Sequence, residues 1–437
     1  MSASDLVALV CCDLGSIVRG RSLFASELDA QLDAGVSWVP ANHSLTPLGS
    51  LAESSPFGST GDLRLLPDVD THIRVEASSG ARPLELVLCD IVETDGQPWE
   101  CCPRRFLREA LDQLEDELGA RLSSSFEHEF QLMVDAPAAL PFSLEAQRRA
   151  EPFAGEVMNA LLQAGVQPER FLAEYAPHQF EIPVQPAEGL AGADRSIVLK
   201  EVVREIARRH EMQASFAPLL DPAAAGNGAH IHLSLLDAEG RPLLYDSSQP
   251  ACLSELGARF AAGILLHARA LSALSAPSPT SAARLAPHRW SVGAVCLAER
   301  NREALLRIPP LVSLGGADRA SQLRLEYRGA DATANPYLAL GAIVRAGLDG
   351  VRAELPAPPI LDRDPAELDG SEAERFGVGA LTSSLEDSLR ALSQDGAVRG
   401  WMGPLLYDAF VAVKRSELDA VAGLDLAEAC GRYAAIY

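Results

Sequence analysis

The chain reads as an α+β protein with a small, β-rich N-terminal part. Two observations predict this. Residues 1 to about 100 are short apolar runs broken by turn signals. From residue 103 onward, amphipathic helices alternate with strands that carry charges on one face, and no internal repeat appears.

Taken in order, "DLVALVCCDLGSIVRGRSLF" predicts a hairpin around Gly15. "ANHSLTPLGSLAESSPFGSTGD" is rich in Ser, Gly and Pro and predicts a long loop over 42–61. "LELVLCDIVETDGQPWE" is a strand ending at the turn signal Asp95-Gly96. "CPRRFLREALDQLEDELG" places Phe106, Leu107, Ala110, Leu111, Leu114 and Leu118 on one helical face. Pro103 near its start and Gly119 at its end supply the boundaries. Ser123 to Ser125 lead into a strand carrying Glu127 and Glu129. Helices are predicted around 153–163, 194–210, 251–274, 335–350, 381–393 and 403–433. Asp237 to Gly240 is predicted to turn a hairpin between "HIHLSLL" and "PLLYD", and "ELPAPPILDRDPAEL" to be a Pro-rich surface connection.

Composition narrows the function. The 437 residues are 48% hydrophobic and 22% charged, an ordinary globular balance with room for a large core. A net charge of −23 argues against a general nucleic-acid surface. The 8 cysteines form no CxxC pair, which reads as thiols in a reducing compartment rather than a zinc knuckle. No basic leader opens the chain and no apolar run spans a membrane, because His267 and Arg269 interrupt the longest one. The expectation is a cytoplasmic protein.

"FEHEFQL" sets Glu127 and Glu129 two residues apart, hence on one face of a strand, where like charges repel unless a cation intervenes. By itself this also fits a solvated edge strand. "EYAPHQFEI" adds Glu174 and Glu181, which a bend near Pro177 would bring to one side. "GNGAHIHLSL" sets His230 and His232 on one face, and "LRLEYRG" does the same for Arg324, Glu326 and Arg328. A lone HxH is more often structural, and a lone Arg-Glu-Arg is usually a surface ion-pair strand. Together, five glutamates and one or two histidines embedded in apolar runs call for two or three divalent cations. Mostly oxygen donors favour Mg2+ or Mn2+. Arg284, Arg289, Arg300, Arg302 and Arg307 add a cationic population suited to phosphoryl transfer, and no P-loop or kinase motif is present.

The order E-x-E, E…Q-x-E, G-x-G-x-H-x-H, NR…RIP and R-x-E-x-R followed by "ANPYLAL" resembles the glutamine synthetase family of the short bacterial type over nearly the whole chain. The resemblance implies a β-grasp-like N-terminal domain (1–100) and a catalytic α/β domain with a curved antiparallel sheet (101–437). It implies Glu129, Glu174 and Glu181 as ligands of one metal, and Glu127, His230 and Glu326 as ligands of the metal bridging the ATP phosphates. His232 would contact phosphate, Arg302 and Arg307 the transferred phosphoryl group, and Arg324 the nucleotide. Arg284, Arg328 and Gly226 would hold a glutamate-like acid. The implied reaction is ATP-dependent formation of an acyl phosphate, then displacement by nitrogen. The implied assembly is a homo-oligomer of stacked rings, a dodecamer, with each site shared between neighbouring subunits. Loops such as 42–61 are candidates for shielding the intermediate from water.

The chain departs from the family where ammonium would bind. Trp290 stands where an acid is usual after the Arg284-Leu285 pair, and "GVSWVPANHSL", with Trp38, lacks the acid of the small domain. An organic amine packing on aromatic rings fits these changes. Ala225 replaces an asparagine before Gly226, Ala282 and Ala283 replace Tyr-Lys, "APLLDP" lacks the usual Lys-Pro, and His178 replaces a glycine and is a candidate base near the nucleophile. A related acid in place of glutamate stays open, as do a true glutamine synthetase and a non-catalytic paralogue.

Overall fold

The computed structural model describes residues 5–77, 82–286, 289 and 291–437. Two β-sheets organise it. The N-terminal sheet contains β1 (Leu6–Cys12), β2 (Val18–Phe24), β3 (Val36–Trp38), β4 (Leu63–Pro67), β5 (Ile73–Val75) and β6 (Leu84–Glu93), in the order β2-β1-β6-β4-β3 with β5 also on β6. β1 and β6 pair in parallel at the centre and the other pairs are antiparallel. Period-two alternation puts Leu63 and Leu65 of β4 into the core beside Val7, Leu9 and Val87. The predicted hairpin forms around Gly15, with Asp13 Oδ1 accepting from the amides of Gly15 (2.9 Å) and Ile17 (2.8 Å).

The second sheet has ten strands: β7 (Arg121–Met133), β8 (Leu172–Ala173), β9 (Gln179–Ile182), β10 (Ala187–Glu188), β11 (Gln213–Ser215), β12 (Ala229–Leu236), β13 (Ala294–Glu299), β14 (Ala304–Ile308), β15 (Leu325–Tyr327) and β16 (Ile360–Leu361). Their order is β16-β13-β14-β15-β12-β7-β9-β8, with β10 and β11 on β7. This is the curved sheet of a large catalytic domain, but it is not wholly antiparallel. β13 runs parallel to both β14 and β16. Ala294 pairs with Ala304 and Glu299 lies beside Ile308, so residues 300–303 return the chain to begin β14 beside the start of β13, with Arg300 in the left-handed region (φ 60°).

The helix Pro103–Leu118 forms as predicted and ends at Gly119, whose φ of 59° is the left-handed cap. Four other expectations change. The run 251–274 splits into Glu255–Leu266 and Ala268–Ser275 at His267, and 403–433 becomes Gly396–Val421, kinked at Gly403-Pro404, plus Leu426–Ala434. The hairpin after Asp237 keeps its turn, but its second arm pairs only through Leu236–Pro242. The Pro-rich connection is partly sheet, because Leu361 is buried in β16.

Arg104 joins the two halves. It donates to Asp68 (2.7 Å) and Asp90 (3.2 Å) of the N-terminal part and to Asp194 (3.0 and 3.1 Å) of the helix Ala191–Arg209. Asn335, the cap of the helix Pro336–Arg352, also donates to the carbonyls of Cys12 and Asp13 at 3.2 and 3.0 Å. Segment 42–61 is fastened by Phe57 against Trp99 and by the Glu53 amide on Ser416 Oγ at 2.8 Å.

Candidate active site

Strand register builds the site. Arg307 of β14 pairs with Glu326 of β15, and Glu326 pairs with His232 of β12. His230 pairs with Glu127 of β7, and Glu129 pairs with Glu181 of β9. Directly paired residues point to one face, so five strands lay these side chains in one row. The opposite faces of β15 and β12 are apolar and fully buried at Leu325, Tyr327, Ile231 and Leu233, which fixes the register.

Glu127 lies 3.4 Å from His230 Nδ1 and 3.1 Å from His232 Nε2. Arg324 Nε donates to His232 Nδ1 at 3.1 Å. That nitrogen is therefore the acceptor, and Nε2 carries the proton toward Glu127. Burial pushes Glu127 up, but the hydrogen bonds of His230 and His232 prevail and hold it well below the usual carboxylate range. Burial also opposes ionisation of Glu326, yet Arg328, His232, His230 and Arg307 bring it down to about 2. Arg307 Nη1 donates to Glu326 at 2.7 Å, and Arg328 Nη1 also donates to it.

Glu174 and Glu181 are governed by burial and by their fellow acids. Burial, then the charges of Glu129 and Glu127, push Glu174 up to about 7 against the pull of Arg302. Burial and the charges of Glu127, Glu129 and Glu174 drive Glu181 well above its ordinary range. Ligand atoms of Glu127, Glu181 and His230 lie within 4.8 Å of one another. Crowded carboxylates that resist ionisation, with oxygen donors dominant and one imidazole, fit Mg2+ or Mn2+. This acid–histidine cluster is able to hold metal.

Two clefts flank the row. A small one of about 190 Å³ is lined by Glu129, Glu174, Glu181 and His230 on one side and by Arg284, Arg302 and Arg328 on another. A larger one of about 700 Å³ has Glu127, His232 and Arg324 at its inner end, with Ser123 and Ser125 beyond. Gly226 lines the small cleft because nothing larger fits: a Cβ there would lie 2.2 Å from the Pro218 carbonyl oxygen and 2.7 Å from Arg284 Cγ. Arg284 donates to the Ala330 carbonyl at 2.7 Å, while its buried Nε has no partner. Arg302 sits in the turn between β13 and β14, which carries it to the cleft. Arg307 stands at the end of the row, held on Glu326, and is not among the residues lining either cleft.

Trp290 lies outside the described residues; its neighbours Arg289 and Ser291 line the small cleft. Trp38 is buried in its own β-sheet, and neither it nor the partly exposed segment 42–61 lines this chain's cleft. His178 does not face the cleft. Its backbone has a φ of 53° and its Nε2 lies 2.9 Å from the Ala136 carbonyl oxygen, so it is no base for this chain's nucleophile.

Several contributors were not singled out from sequence. Gln179 Nε2 bridges Glu129 (3.2 Å), the Gly226 carbonyl (3.0 Å) and Asn227 (3.0 Å), tying metal row to substrate loop. Its place in Q-x-E was the available signal. Phe142 and Tyr175, ring centroids 4.7 Å apart and edge to face, stand at the cleft with no sequence signal to pair them.

A row of metal-binding acids between a cationic acid-sized cleft and a nucleotide-sized one defines a ligase that couples nucleotide cleavage to amide formation. The chain belongs to the glutamine synthetase family: residues 100–425 match the glutamine synthetase catalytic domain and 1–99 the glutamine synthetase N-terminal domain. It is 33% identical over 429 residues to the gamma-glutamylpolyamine synthetase GlnA3 of Streptomyces coelicolor, covering 96% of this chain and 91% of that one. It is 31% identical to the glutamine synthetase of Thermus thermophilus, covering 93% and 90%. Among solved structures, a novel glutamine synthase homolog superposes with a TM-score of 0.93 at 45% identity, covering 100% of this chain and 99% of the other. GmaS in complex with ADP superposes with a TM-score of 0.82 at 25% identity, covering 97% and 95%.

Proposed function

We propose that this protein is an ATP-dependent ligase joining the γ-carboxylate of glutamate, or of a closely related acid, to an organic amine. The observation that carries the reading is the single row Arg307–Glu326–His232/His230–Glu127/Glu129–Glu181 between two clefts of unequal size. Arg284 and Arg328 hold the acid in the small cleft, on the loop that Gly226 keeps thin. Arg324 and His232 meet the nucleotide phosphates in the larger one. Glu129, Glu174 and Glu181 hold one divalent ion, and Glu127, His230 and Glu326 another. Bound Mg2+ or Mn2+ would screen the repulsion between carboxylate and phosphate.

The chemistry balances without an external oxidant or reductant. A carboxylate oxygen attacks the γ-phosphorus, the P–O bond to ADP breaks, and an acyl phosphate forms. The amine lone pair then attacks the acyl carbon, the C–O bond to phosphate breaks with its electron pair, and the nitrogen loses a proton. Arg302 and Arg307 stabilise charge on the transferred group. No acid stands at Trp290 or along "GVSWVPANHSL" to trap ammonium, which favours an amine carrying carbon substituents. GlnA3, by its name a gamma-glutamylpolyamine synthetase, falls on the same side of this choice.

In this reading the chain assembles into stacked rings, a dodecamer in the cytoplasm, and a neighbour's N-terminal domain (1–100) closes the catalytic domain (101–437). No helix among the described residues is long and apolar enough to cross a membrane. ADP release with glutamate, ATP and Mg2+ over a panel of amines tests the proposal. Ammonia as the preferred nucleophile returns the protein to glutamine synthesis. Nucleotide and metal binding without turnover makes it a non-catalytic paralogue.

A further inference from the structure

A third cavity, about 430 Å³, lies between segment 134–152 and the β8–β9 hairpin. Its walls are apolar: Val134, Leu140, Ala146, Phe153, Phe180 and Met212. It shares Glu174 and Gln179 with the small catalytic cleft, so the two spaces meet at that wall. His178 closes its rim, turned there by its left-handed backbone and its contact with the Ala136 carbonyl. The catalytic cleft, at about 190 Å³, is small for an amino acid together with a bulky amine, whereas 430 Å³ is the size of an ordinary small-molecule pocket.

We infer that this cavity receives the hydrocarbon part of the amine substrate, and that the preferred nucleophile is a primary monoamine with an apolar tail. The inference rests on the ligase reading above and names its second substrate. The amino group stands on the Glu174 side, facing the acyl group, and the tail passes between Tyr175 and the hairpin into the apolar space. A polyamine suits the walls poorly. Among the described lining residues the carboxylates are Glu174, at the shared wall, and Glu151, which accepts from the Gly155 amide at 3.3 Å. Arg149, ion-paired with Glu145, lines the same rim and offers a distal ammonium no acceptor. Tail length is then read as affinity, by about fourfold for each methylene until the space is filled.

The test is steady-state ADP release by the full-length protein with ATP, Mg2+ and L-glutamate. The amines are methylamine, butylamine, hexylamine and 1,6-diaminohexane, with Ala146→Phe and Val134→Phe as cavity-filling variants. The expected result is a KM for hexylamine lower than that for methylamine by at least about tenfold, and by about a thousandfold if all five added methylenes are buried. The diamine should be poorer than hexylamine, and the hexylamine-to-methylamine ratio of kcat/KM should collapse in either variant. Turnover indifferent to tail length overturns the inference and leaves the ligase reading standing. A diamine preferred to hexylamine overturns it too. So does a filled variant whose ratio is unchanged but whose oligomeric state differs, since the cavity is then a contact between copies. Silence with every amine removes the ligase reading and the inference with it. If neither variant folds, the wild-type tail-length profile decides.

Discussion

At Gly226 one added carbon meets a backbone oxygen 2.2 Å away and the stem of Arg284 at 2.7 Å. The carbonyl cannot yield, so Gly226→Ala must move the loop or the arginine. We expect KM for the acid to rise about tenfold or more, the equivalent of one charge-assisted hydrogen bond lost, with KM for ATP nearly unchanged. Steady-state kinetics with each substrate varied separately checks this. Glu127→Gln removes the charge that His230 and His232 both address. The variant should bind less Mn2+ than wild type and lose about a thousandfold or more in kcat, read by calorimetric titration and turnover. Glu127, His230 and His232 were legible because alternation on a strand names a face, and acids within apolar runs say that the face is special; Gly226 came only with the family resemblance. Gln179 and Tyr175 were not, because the glutamine's three partners come from two distant segments and the aromatic pair from two loops.

The break at His267 belongs to the scale of elements. Local periodicity runs straight through "FAAGILLHARALSAL", so the sequence reads as one helix. The interruption is tertiary: His267 Nδ1 lies 2.7 Å from Asp395 and Nε2 lies 3.1 Å from Asp349. Asp395 in turn caps the helix Gly396–Val421 through the amides of Ala397 and Val398. Burial lowers the pKa of His267, but the two aspartates outweigh it and raise it above the ordinary value. A raised native pKa means stability that is fully present below the unfolded value and lost as pH climbs through the folded one. His267→Gln should therefore cost about 2 kcal/mol at pH 5.5 and progressively less as pH rises, in thermal melts of both proteins. The parallel pairing of β13 was hidden for a similar reason. Only its neighbours, including two residues of a Pro-rich stretch, decide that a short apolar run becomes a strand with parallel partners on both sides.

Across the whole molecule, Arg104 is the rivet. It is nearly buried and bonded to three aspartates from both halves. Arg104→Met leaves Asp194 buried without its cation, a cost of about 3–5 kcal/mol, and should lower the calorimetric midpoint and loosen the N-terminal sheet before the rest. The two-part organisation and the order of site motifs were plain in the sequence, because each motif is local. Where the three cavities lie was not, since each is formed by segments distant in the chain. Ring assembly is likewise a property of copies. Exposed Phe24 and Leu51 on this chain are surfaces a neighbour would cover in the proposed ring, and mass photometry of the purified protein should find a dodecamer.

The most direct measurement is amine-dependent ADP release with mass detection of the product, from ATP, Mg2+ and L-glutamate, comparing ammonia with organic amines at equal concentration. The structure predicts a γ-glutamyl amide of an organic amine, with ammonia a poor substrate. Glutamine formed efficiently from ammonia, in preference to every organic amine, would contradict it.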